Sequence, residues 1–198
     1  MKVIVINGSI IDESVSTSKA LSDKFIEFYK EKNPTHEIVY LDLNKEKTAQ
    51  TILSSQTRPS FWEQTEALKY VELLKSANKI VISSPMINFN YSAPLKNFLD
   101  AISIANVTFS YKYSKKGDAI GLLNNLKAQV ITTKGAPSDW YPFANHTKAL
   151  EGVLGFLGME IAPSIELNGT NIEPLSKMTK EERVASIEEQ IKKAAYNF

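Results

Sequence analysis

The sequence predicts an α/β fold in which helices cover both faces of a parallel sheet. Short apolar runs alternate five times with segments of helical periodicity, and the runs are apolar throughout, as expected of parallel strands buried on both faces. No long linker, low-complexity tract or internal repeat divides the chain. We therefore expect a single globular domain over residues 1–198, a length that suits one domain with a full core.

The first half of the chain contains three of the predicted strands. In chain order it predicts a strand at residues 3–6, a helix around residues 21–29, a strand at residues 37–43, a helix over residues 61–75 and a strand at residues 79–83. The first helix is expected to stop at Asn33 and Pro34, and Pro85 is expected to close the third strand. Residues 44–60 are polar and give no clear pattern.

The second half contains the remaining two strands. It predicts a helix around residues 95–102, a strand at residues 127–133, a helix around residues 150–157, a strand at residues 161–167 and a last helix around residues 184–191. Pro94 suits the first turn of the third helix, and Gly158 suits the residue that follows the fourth. Thr179 and Glu182 have the spacing of a capping box before the last helix.

Five strands that alternate with helices favour a doubly wound sheet in the order 2-1-3-4-5, the flavodoxin-like arrangement. One insertion, residues 107–125, interrupts the alternation between the third helix and the fourth strand. Large apolar side chains alternate with polar residues at its start, at Val107, Phe109, Tyr111 and Tyr113, and predict a strand or hairpin. The insertion is either a surface hairpin or part of a ligand site.

Composition excludes several classes of protein and site. The net charge of +1 argues against a nucleic-acid-binding protein, which normally carries a basic patch. The absence of cysteine excludes disulfides, thiolate metal sites and cysteine nucleophiles. His36 and His146 are the two histidines, and their separation along the chain leads us to expect no metal site. Because no apolar run approaches 18 residues and the N-terminus lacks a signal peptide, we expect a cytoplasmic protein without a membrane span.

Ligands of open α/β sheets bind beyond the carboxyl ends of the strands, so the loops after strands 1, 3 and 4 are the candidates. None of them carries a P-loop, a dinucleotide fingerprint or a nucleophile elbow. Gly152 and Gly155 fall within a predicted helix, and we interpret them as close-packing positions.

The loop after the first strand has the composition of a phosphate site. Ser16, Thr17 and Ser18 open a helix whose first turn contains no acidic residue. Hydroxyls, free backbone N–H groups and the positive end of the helix dipole together favour a phosphate monoester. Ordinary N-capping by Ser or Thr is the alternative interpretation.

The other two loops are less polar. The loop after strand 3, residues 84–91, combines Met, Phe and Tyr with two Asn residues, which suits a flat heteroaromatic ligand. In the alternative interpretation Met86 and Phe89 belong to the core and Asn88 is a turn residue. The loop after strand 4, residues 133–137, is small and is expected to be flexible enough for its backbone to approach a ligand closely.

Three segments carry a more specific pattern. They are Ser-Pro-Met-Ile-Asn-Phe at residues 84–89, Ala-Pro-Leu-Lys-Asn-Phe-Leu-Asp at residues 93–100 and Val-Thr-Phe-Ser-Tyr at residues 107–111. Together they resemble the FMN-dependent NADH-azoreductase family, whose members are flavodoxin-like quinone reductases. The resemblance continues through residues 121–123 and 154–159, and so covers nearly the whole chain.

The resemblance implies which residues bind FMN. The flavin phosphate would be held by Ser9, Ser16, Thr17 and Ser18, which match a serine after the first strand and a Ser-x-Ser triplet at the first helix. The flavin ring would lie against two further sets, which are Pro85, Met86, Ile87, Asn88 and Phe89, and Thr133, Lys134, Gly135 and Ala136. Ile87 replaces a family tyrosine, and Lys134 replaces a family arginine, whose planar fork a lysine lacks.

The resemblance also implies the reaction. NADH would deliver a hydride to the flavin, and a quinone or azo compound would then take the electrons in a ping-pong cycle, so no protein residue is expected to be catalytic. The family further implies a homodimer with two sites at the interface. Four aromatic residues are expected to offer apolar walls for a planar substrate: Phe89, Tyr91, Phe109 and Tyr111.

Two other functions compete with this one. A flavodoxin-type electron carrier would bind FMN and dock redox proteins, but such carriers are typically strongly acidic, whereas this chain is near neutral. An esterase would need a nucleophile and a base, and neither histidine falls in a predicted site loop. The sequence therefore favours the reductase.

Overall fold

The computed structural model describes residues 1–112 and 119–198. Its strands are β1 (Lys2–Asn7), β2 (Glu37–Asp42), β3 (Lys79–Pro85), β4 (Phe109–Ser110), β5 (Ile120–Gly121), β6 (Lys127–Lys134), β7 (Glu160–Ile161) and β8 (Ile165–Asn168). Its α-helices are α1 (Thr17–Lys32), α2 (Lys47–Gln50), α3 (Phe61–Gln64), α4 (Ala67–Lys75), α5 (Ala93–Ile102), α6 (His146–Phe156), α7 (Lys180–Ala185) and α8 (Glu188–Asn197). Among the described residues, no helix is both long and apolar enough to cross a membrane.

The main sheet is parallel and has the predicted order. Its strands lie in the sequence β2-β1-β3-β6-β7, with β8 paired to β6 on the same side as β7. Because β7 and β8 together occupy the fifth position, this is the expected 2-1-3-4-5 arrangement. Buried side chains form one core cluster on each face of the sheet, which explains why the strands are apolar at successive positions.

The fifth strand is not the continuous strand that residues 161–167 predicted. It pairs with β6 as β7 and β8, and the interruption between them contains Pro163. A proline has no backbone N–H and cannot donate to the ladder, so it breaks a strand that its neighbours would otherwise extend.

Two predicted helices are also divided. Residues 61–75 form α3 and α4, separated at Glu66, whose φ of 54° is left-handed. The hydroxyl of Thr65 donates to the carbonyl of Phe61 at 2.7 Å, a local bond that competes with helix continuation. The last helix is α7 and α8 instead of one, and the break after α7 allows Val184 and Ile191 to enter the same core cluster. Its capping box is present as predicted, at Thr179 and Glu182.

The insertion forms a short hairpin, β4 with β5, in the part that the structure describes. Tyr113, the last residue of its predicted alternation, lies outside the described residues. Gly121 of the hairpin packs against Gly158, which has a φ of +98° and follows α6 as predicted. A Cβ on Gly121 would lie 2.1 Å from the backbone nitrogen of Gly158, so this contact needs both glycines.

Candidate functional site

The structure brings the three candidate loops to one edge of the sheet. The backbone N–H of Gly8, after β1, donates to the carbonyl of Ser83 in β3 at 2.8 Å. The backbone N–H of Met86, after β3, donates to the carbonyl of Thr133 in β6 at 2.7 Å. The carboxyl ends of β1, β3 and β6 are therefore joined side by side.

The first loop is organised by its own hydroxyls. Ser16 caps α1 and accepts a bond from the N–H of Lys19 at 3.4 Å, so the capping interpretation is right for this residue. Its hydroxyl also donates to the Oγ of Ser9 at 2.9 Å, and both side chains are buried. Ser9 in turn accepts from the N–H of Ile11 at 3.1 Å. These two serines fix the shape of the loop.

Ser18 is different, because its buried Oγ has no hydrogen-bond partner among the described residues. The backbone N–H groups of Thr17 and Ser18 open the helix and have no acceptor there either, as expected for the first positions of a helix. The first turn of α1 contains no acidic residue. The helix start therefore presents unpaired donors and the positive end of its dipole, a combination that binds anions.

The loop after β3 is a tight turn with unusual backbone geometry. Ile87 and Asn90 exchange backbone hydrogen bonds of 2.7 and 3.1 Å. Between them, Asn88 and Phe89 have φ values of 45° and 72°, a strained conformation for residues other than glycine. Asn88 is thus a turn residue, as the alternative interpretation held, but Phe89 is 48% exposed and does not belong to the core. Within the described residues, the N–H groups of Asn88 and Phe89 have no acceptor.

Two other members of this loop lie deeper. Pro85 ends β3 and is buried beside Thr133 of β6, and Met86 is partly buried. Ile87, which replaces the family tyrosine, is partly exposed and is not a member of either core cluster.

The loop after β6 is held in place, and the expectation that it is flexible is wrong. Its carbonyls at Lys134, Gly135 and Ala136 accept backbone bonds of 2.8–3.1 Å from residues 169–171. The Nζ of Lys134 is directed away from solvent and donates to the carbonyl of Trp140 at 2.9 Å, and more weakly to that of Ser138 at 3.4 Å. The N–H groups of Gly135 and Ala136 have no acceptor among the described residues.

An exposed aromatic cluster borders these loops and was missed in the sequence. It consists of Phe89, Trp140, Tyr141 and Phe143. The ring of Phe89 lies 5.2 Å from those of both Tyr141 and Phe143, and the Trp140 and Tyr141 rings are 6.3 Å apart. All four side chains are at least 41% exposed, and Phe143 reaches 74%. Three large aromatic residues in a polar loop were the available signal, because such exposed patches mark binding sites.

The apolar walls that the sequence predicted are only partly present. Tyr91 is buried in the core with Leu95, so it does not line the site. Phe109 is half-buried and packs against Phe156 with ring centroids 5.0 Å apart. Phe89 remains as the predicted wall residue nearest the joined loops.

His146 begins α6 beside the loop after β6, closer to the site than the sequence indicated. It is buried, and burial lowers its pKa to about 4, with a further decrease from the nearby charge of Lys134 and a partly opposing hydrogen bond to the backbone of Thr133. Its Nε2 has no partner among the described residues. A neutral, buried imidazole does not supply the accessible base that an esterase requires.

A separate cavity of about 690 Å³ lies between α1 and β2. Charged side chains dominate its rim, including Lys19 and Asp23, which pair with each other at 2.7 Å. Ser22 also lines this cavity, and its buried Oγ has no hydrogen-bond partner among the described residues. Unlike Ser18, however, Ser22 lies inside α1 and not at its start, so it has no free backbone N–H groups of a helix terminus beside it.

Comparison with known proteins agrees with this geometry. A family model described as "Flavodoxin-like fold" matches residues 1–193. An FMN-dependent NADH:quinone oxidoreductase of Mycoplasma mycoides subsp. mycoides SC is 46% identical over 100% of this chain and 99% of its own. One of Mycoplasma mobile is 49% identical over 100% and 98%.

Solved structures with the same fold are found at lower sequence identity. An azoreductase of Bacillus anthracis str. Sterne superposes with a TM-score of 0.80 at 24% identity and covers 100% of this chain and 99% of its own. An FMN-dependent NADH-azoreductase of Bacillus anthracis str. Ames Ancestor, solved in complex with FMN, has a TM-score of 0.77 at 25% identity over 100% and 99%. With the strand order, the three joined loops and full-length identity near one half, this chain belongs to the flavodoxin-like family of FMN-dependent NADH:quinone oxidoreductases and azoreductases.

Proposed function

We propose that this protein is an FMN-dependent NADH oxidoreductase that reduces quinones and azo compounds. The observation that carries the proposal is the buried, unpartnered hydroxyl of Ser18 at the acid-free start of α1, beside the joined ends of β1, β3 and β6. The relatives that are nearly half identical over the full chain are named for this activity. The sequence-level prediction and the observed geometry thus lead to the same function.

The residues present suit FMN at two places. The first is the phosphate end, which we define as Ser9, Ser16, Thr17 and Ser18. Ser18 and the N–H groups of Thr17 and Ser18 would donate to the phosphate oxygens, while Ser9 and Ser16 keep the loop in shape. Charge-assisted bonds of this kind are about twice as strong as neutral ones.

The second place is the ring end, defined as residues 85–89 together with residues 133–136. Four backbone N–H groups without an acceptor in the described part of the chain belong to it, those of Asn88, Phe89, Gly135 and Ala136. They are available to donate to the polar edge of the flavin ring, whereas Lys134 acts by holding the loop of Trp140. Bound FMN supplies the hydride chemistry, and the protein supplies orientation and hydrogen bonds.

The aromatic cluster is the proposed wall of the substrate site. Phe89 belongs both to the ring end and to the aromatic cluster. A planar quinone or azo compound bound over the flavin would therefore lie close to Tyr141 and Phe143, whose rings contact that of Phe89. Such rings stack on planar ligands through offset or edge-to-face contacts. The positive φ values of Phe89 and Tyr141 are consistent with a site that holds its side chains in a strained geometry.

We also propose a homodimer. A groove of about 420 Å³ runs between α5 and α6, and Val153 and Phe156 expose apolar surface along it. The sequence led us to interpret Gly152 and Gly155 as close-packing positions. That interpretation is wrong within the protomer, because an added Cβ at either position would meet nothing within 4 Å. A second copy against this face would account for both features. Sedimentation that shows a fully active monomer would remove the dimer.

The whole chain, residues 1–198, is proposed to act as one domain, because each of the two core clusters contains residues from both halves of the chain and the site combines two loops of the first half with one of the second. Since NADH is the proposed electron donor, the expected location is the cytoplasm, where this dinucleotide is maintained.

Anaerobic spectroscopy tests the function directly. NADH added to the purified flavin-loaded protein should bleach the visible absorbance of oxidised flavin, and a quinone added afterwards should restore it with no other protein present. If bleaching requires a separate reductase, the protein is an electron carrier of the flavodoxin type instead. The near-neutral net charge of +1 already disfavours that alternative, because it gives little electrostatic steering toward a redox partner.

A further inference from the structure

Arg183 connects the C-terminal part of the chain to the start of α1. It is one of the two arginines of the protein and lies on α7, far in sequence from the loops considered so far. Its Nε donates to the carbonyl of Leu175 at 2.8 Å and its Nη2 to the carbonyl of Thr170 at 3.2 Å. Its Nη1 donates to the Oγ1 of Thr17 at 3.2 Å. The first two bonds hold the segment before α7, and the third reaches the first residue of α1.

Within the described residues, the charge of Arg183 is met by the last turn of α7 and by two backbone carbonyls, but by no carboxylate. The start of α1 already carries the positive end of a 16-residue helix dipole, with no acidic residue in its first turn. In the part of the chain that the structure describes, no carboxylate lies within 4 Å of the guanidinium. A cation beside the N-terminus of a helix is unfavourable unless an anion is also present. Together with the unpartnered Ser18, this pattern indicates a site that is completed by a negative ligand.

The hydrogen-bond arithmetic of Thr17 points the same way. A hydroxyl has one proton to donate and two lone pairs that accept. Because the Oγ1 of Thr17 already accepts from Arg183, its proton stays available for an acceptor on the other side. A charged donor also polarises the hydroxyl and makes it a better donor.

We propose that Arg183 is a positioning residue for the FMN phosphate, acting through Thr17 and through its charge at the start of α1. The proposal rests on the proposed function and adds to it a residue from the opposite end of the chain. It makes the C-terminal segment part of the phosphate end, so the affinity for a phosphorylated flavin depends on α7. A purely structural Arg183 would instead support both forms of the flavin equally.

Comparison of FMN with riboflavin separates these two roles, because riboflavin lacks only the phosphate. The full-length chain is stripped of flavin, and each ligand is titrated by quenching of flavin fluorescence. In Arg183→Gln the preference for FMN over riboflavin should fall about five- to tenfold, as expected when a charge is lost at a helix terminus together with a positioned donor. Riboflavin affinity should stay within about twofold. Arg58→Gln is the matched control, since it removes the same charge from an exposed loop residue.

The pH dependence provides a second readout that a structural role would not change. A phosphate monoester gains its second charge near pH 6, so the effect of Arg183→Gln should be larger at pH 7.5 than at pH 5.5. Thr17→Val removes the acceptor of Nη1 and leaves the bonds to Leu175 and Thr170. In the double variant, the preference for FMN over riboflavin should fall by less than the product of the two single-variant reductions, because both substitutions interrupt the same interaction.

Three outcomes overturn the proposal. One is an equal loss of FMN and riboflavin affinity in Arg183→Gln, which would make Arg183 a structural clamp. Another is an unchanged FMN preference in that variant. If Arg183→Gln does not fold, Thr17→Val takes its place as the test. The third outcome that overturns the proposal is then an unchanged preference for FMN over riboflavin in Thr17→Val. A wild-type protein that binds riboflavin as tightly as FMN would instead contradict the proposed function, because the phosphate site itself would be absent.

Discussion

The two ends of the proposed flavin site place their free hydrogen-bond donors on different kinds of backbone structure. At the phosphate end the free donors lie on a helix start, where Ser18 and two backbone N–H groups share the dipole of α1 and the charge of Arg183. At the ring end they lie on turns, where positive φ at Asn88 and Phe89 turns N–H groups out of the local bonding. We therefore expect the phosphate end to select its ligand by charge and the ring end to select it by shape. A substitution at one end should leave the other function largely intact.

The largest expected effect is at the phosphate end, with Ser18→Glu. A carboxylate there would face the phosphate dianion, and like charges about 4 Å apart near a protein surface repel by about 4 kcal/mol. FMN affinity should fall by roughly a hundredfold or more, whereas Ser18→Ala should lose about tenfold through one charged hydrogen bond. Calorimetric titration of both variants measures this difference.

The same Ser18→Glu variant should lose some stability, because Ser18 is buried and a larger charged side chain must be accommodated there, although an acidic residue in the first turn of a helix offsets part of this cost. Its melting temperature without flavin is the control. A glutamate variant that retains full FMN occupancy would place the phosphate elsewhere and remove the distinction between the two ends.

The next effect concerns the ring end, with Phe143→Ala. Phe143 is 74% exposed, so its removal should cost little stability, but it takes one wall from the proposed substrate site. Aromatic contacts contribute about 0.5–1.5 kcal/mol, which corresponds to a rise in the KM for a planar quinone of roughly two- to tenfold. Reduction of ferricyanide, which cannot stack, should be unchanged.

Tyr40→Ala is the matched control for Phe143→Ala, since Tyr40 is also exposed and lies on the edge strand β2. FMN affinity should be normal in both variants. Equal KM values for the quinone in Phe143→Ala, Tyr40→Ala and wild type would show that the aromatic cluster is not part of the substrate site.

A smaller effect distinguishes two roles for Lys134. The family resemblance suggests a direct contact with the flavin, whereas the structure directs its Nζ to the carbonyls of Trp140 and Ser138. Lys134→Met keeps the length of the side chain and removes these bonds, of which the shorter, to Trp140, is a charged hydrogen bond worth about 1.5–3 kcal/mol. We expect a KM for the quinone about threefold higher, faster proteolysis in the loop of residues 137–143, and FMN affinity within about twofold. A larger loss of FMN affinity than of quinone affinity would favour the direct contact.

The last effect is absent at neutral pH, appears only in acid and involves His146. Its pKa is lowered from 6.5 to about 4 by burial, so between these values the unfolded chain takes up a proton that the folded protein does not. Stability should therefore fall as the pH drops from 6.5 to 4, by at most about 1.4 kcal/mol per pH unit from this group.

His146→Leu should remove that part of the slope and change stability little near neutral pH. Because His146 contacts the backbone of Thr133, acid should weaken the ring end before the phosphate end. Urea unfolding of both proteins between pH 4 and pH 7 measures the difference. Identical slopes would show that His146 is not the group that titrates.

The sequence was most informative where a feature is local. The hydroxyl triplet with no acidic residue after it identified the start of α1, because caps and first turns are decided within a few residues. The capping box at Thr179 and the left-handed Gly158 were predicted for the same reason. The strand order followed from the alternation of apolar runs and helices, since few topologies satisfy that pattern.

Two of the errors come from contacts between distant residues, whereas the divided helix has a local cause. Residues 61–75 carry a helical pattern, but the hydroxyl of Thr65 bonds the carbonyl of Phe61 and Glu66 adopts a left-handed φ, neither of which the periodicity contains. Tyr91 was expected in the site because of its neighbours in sequence, whereas the core around Leu95 buries it. The loop after β6 was expected to be flexible because its residues are small, yet residues 169–171 bind its carbonyls.

The sequence by itself thus determined the fold class, the three candidate loops and the family, because each of them depends on patterns formed by residues that are close together in the sequence. The tertiary structure alone decided what those loops do with their donors. It paired Ser9 with Ser16 and left Ser18 free, buried the ammonium of Lys134 under Trp140, and brought Arg183 across the chain to Thr17. Such pairings depend on distances between segments far apart in sequence, and those distances exist only once the sheet has brought the segments together.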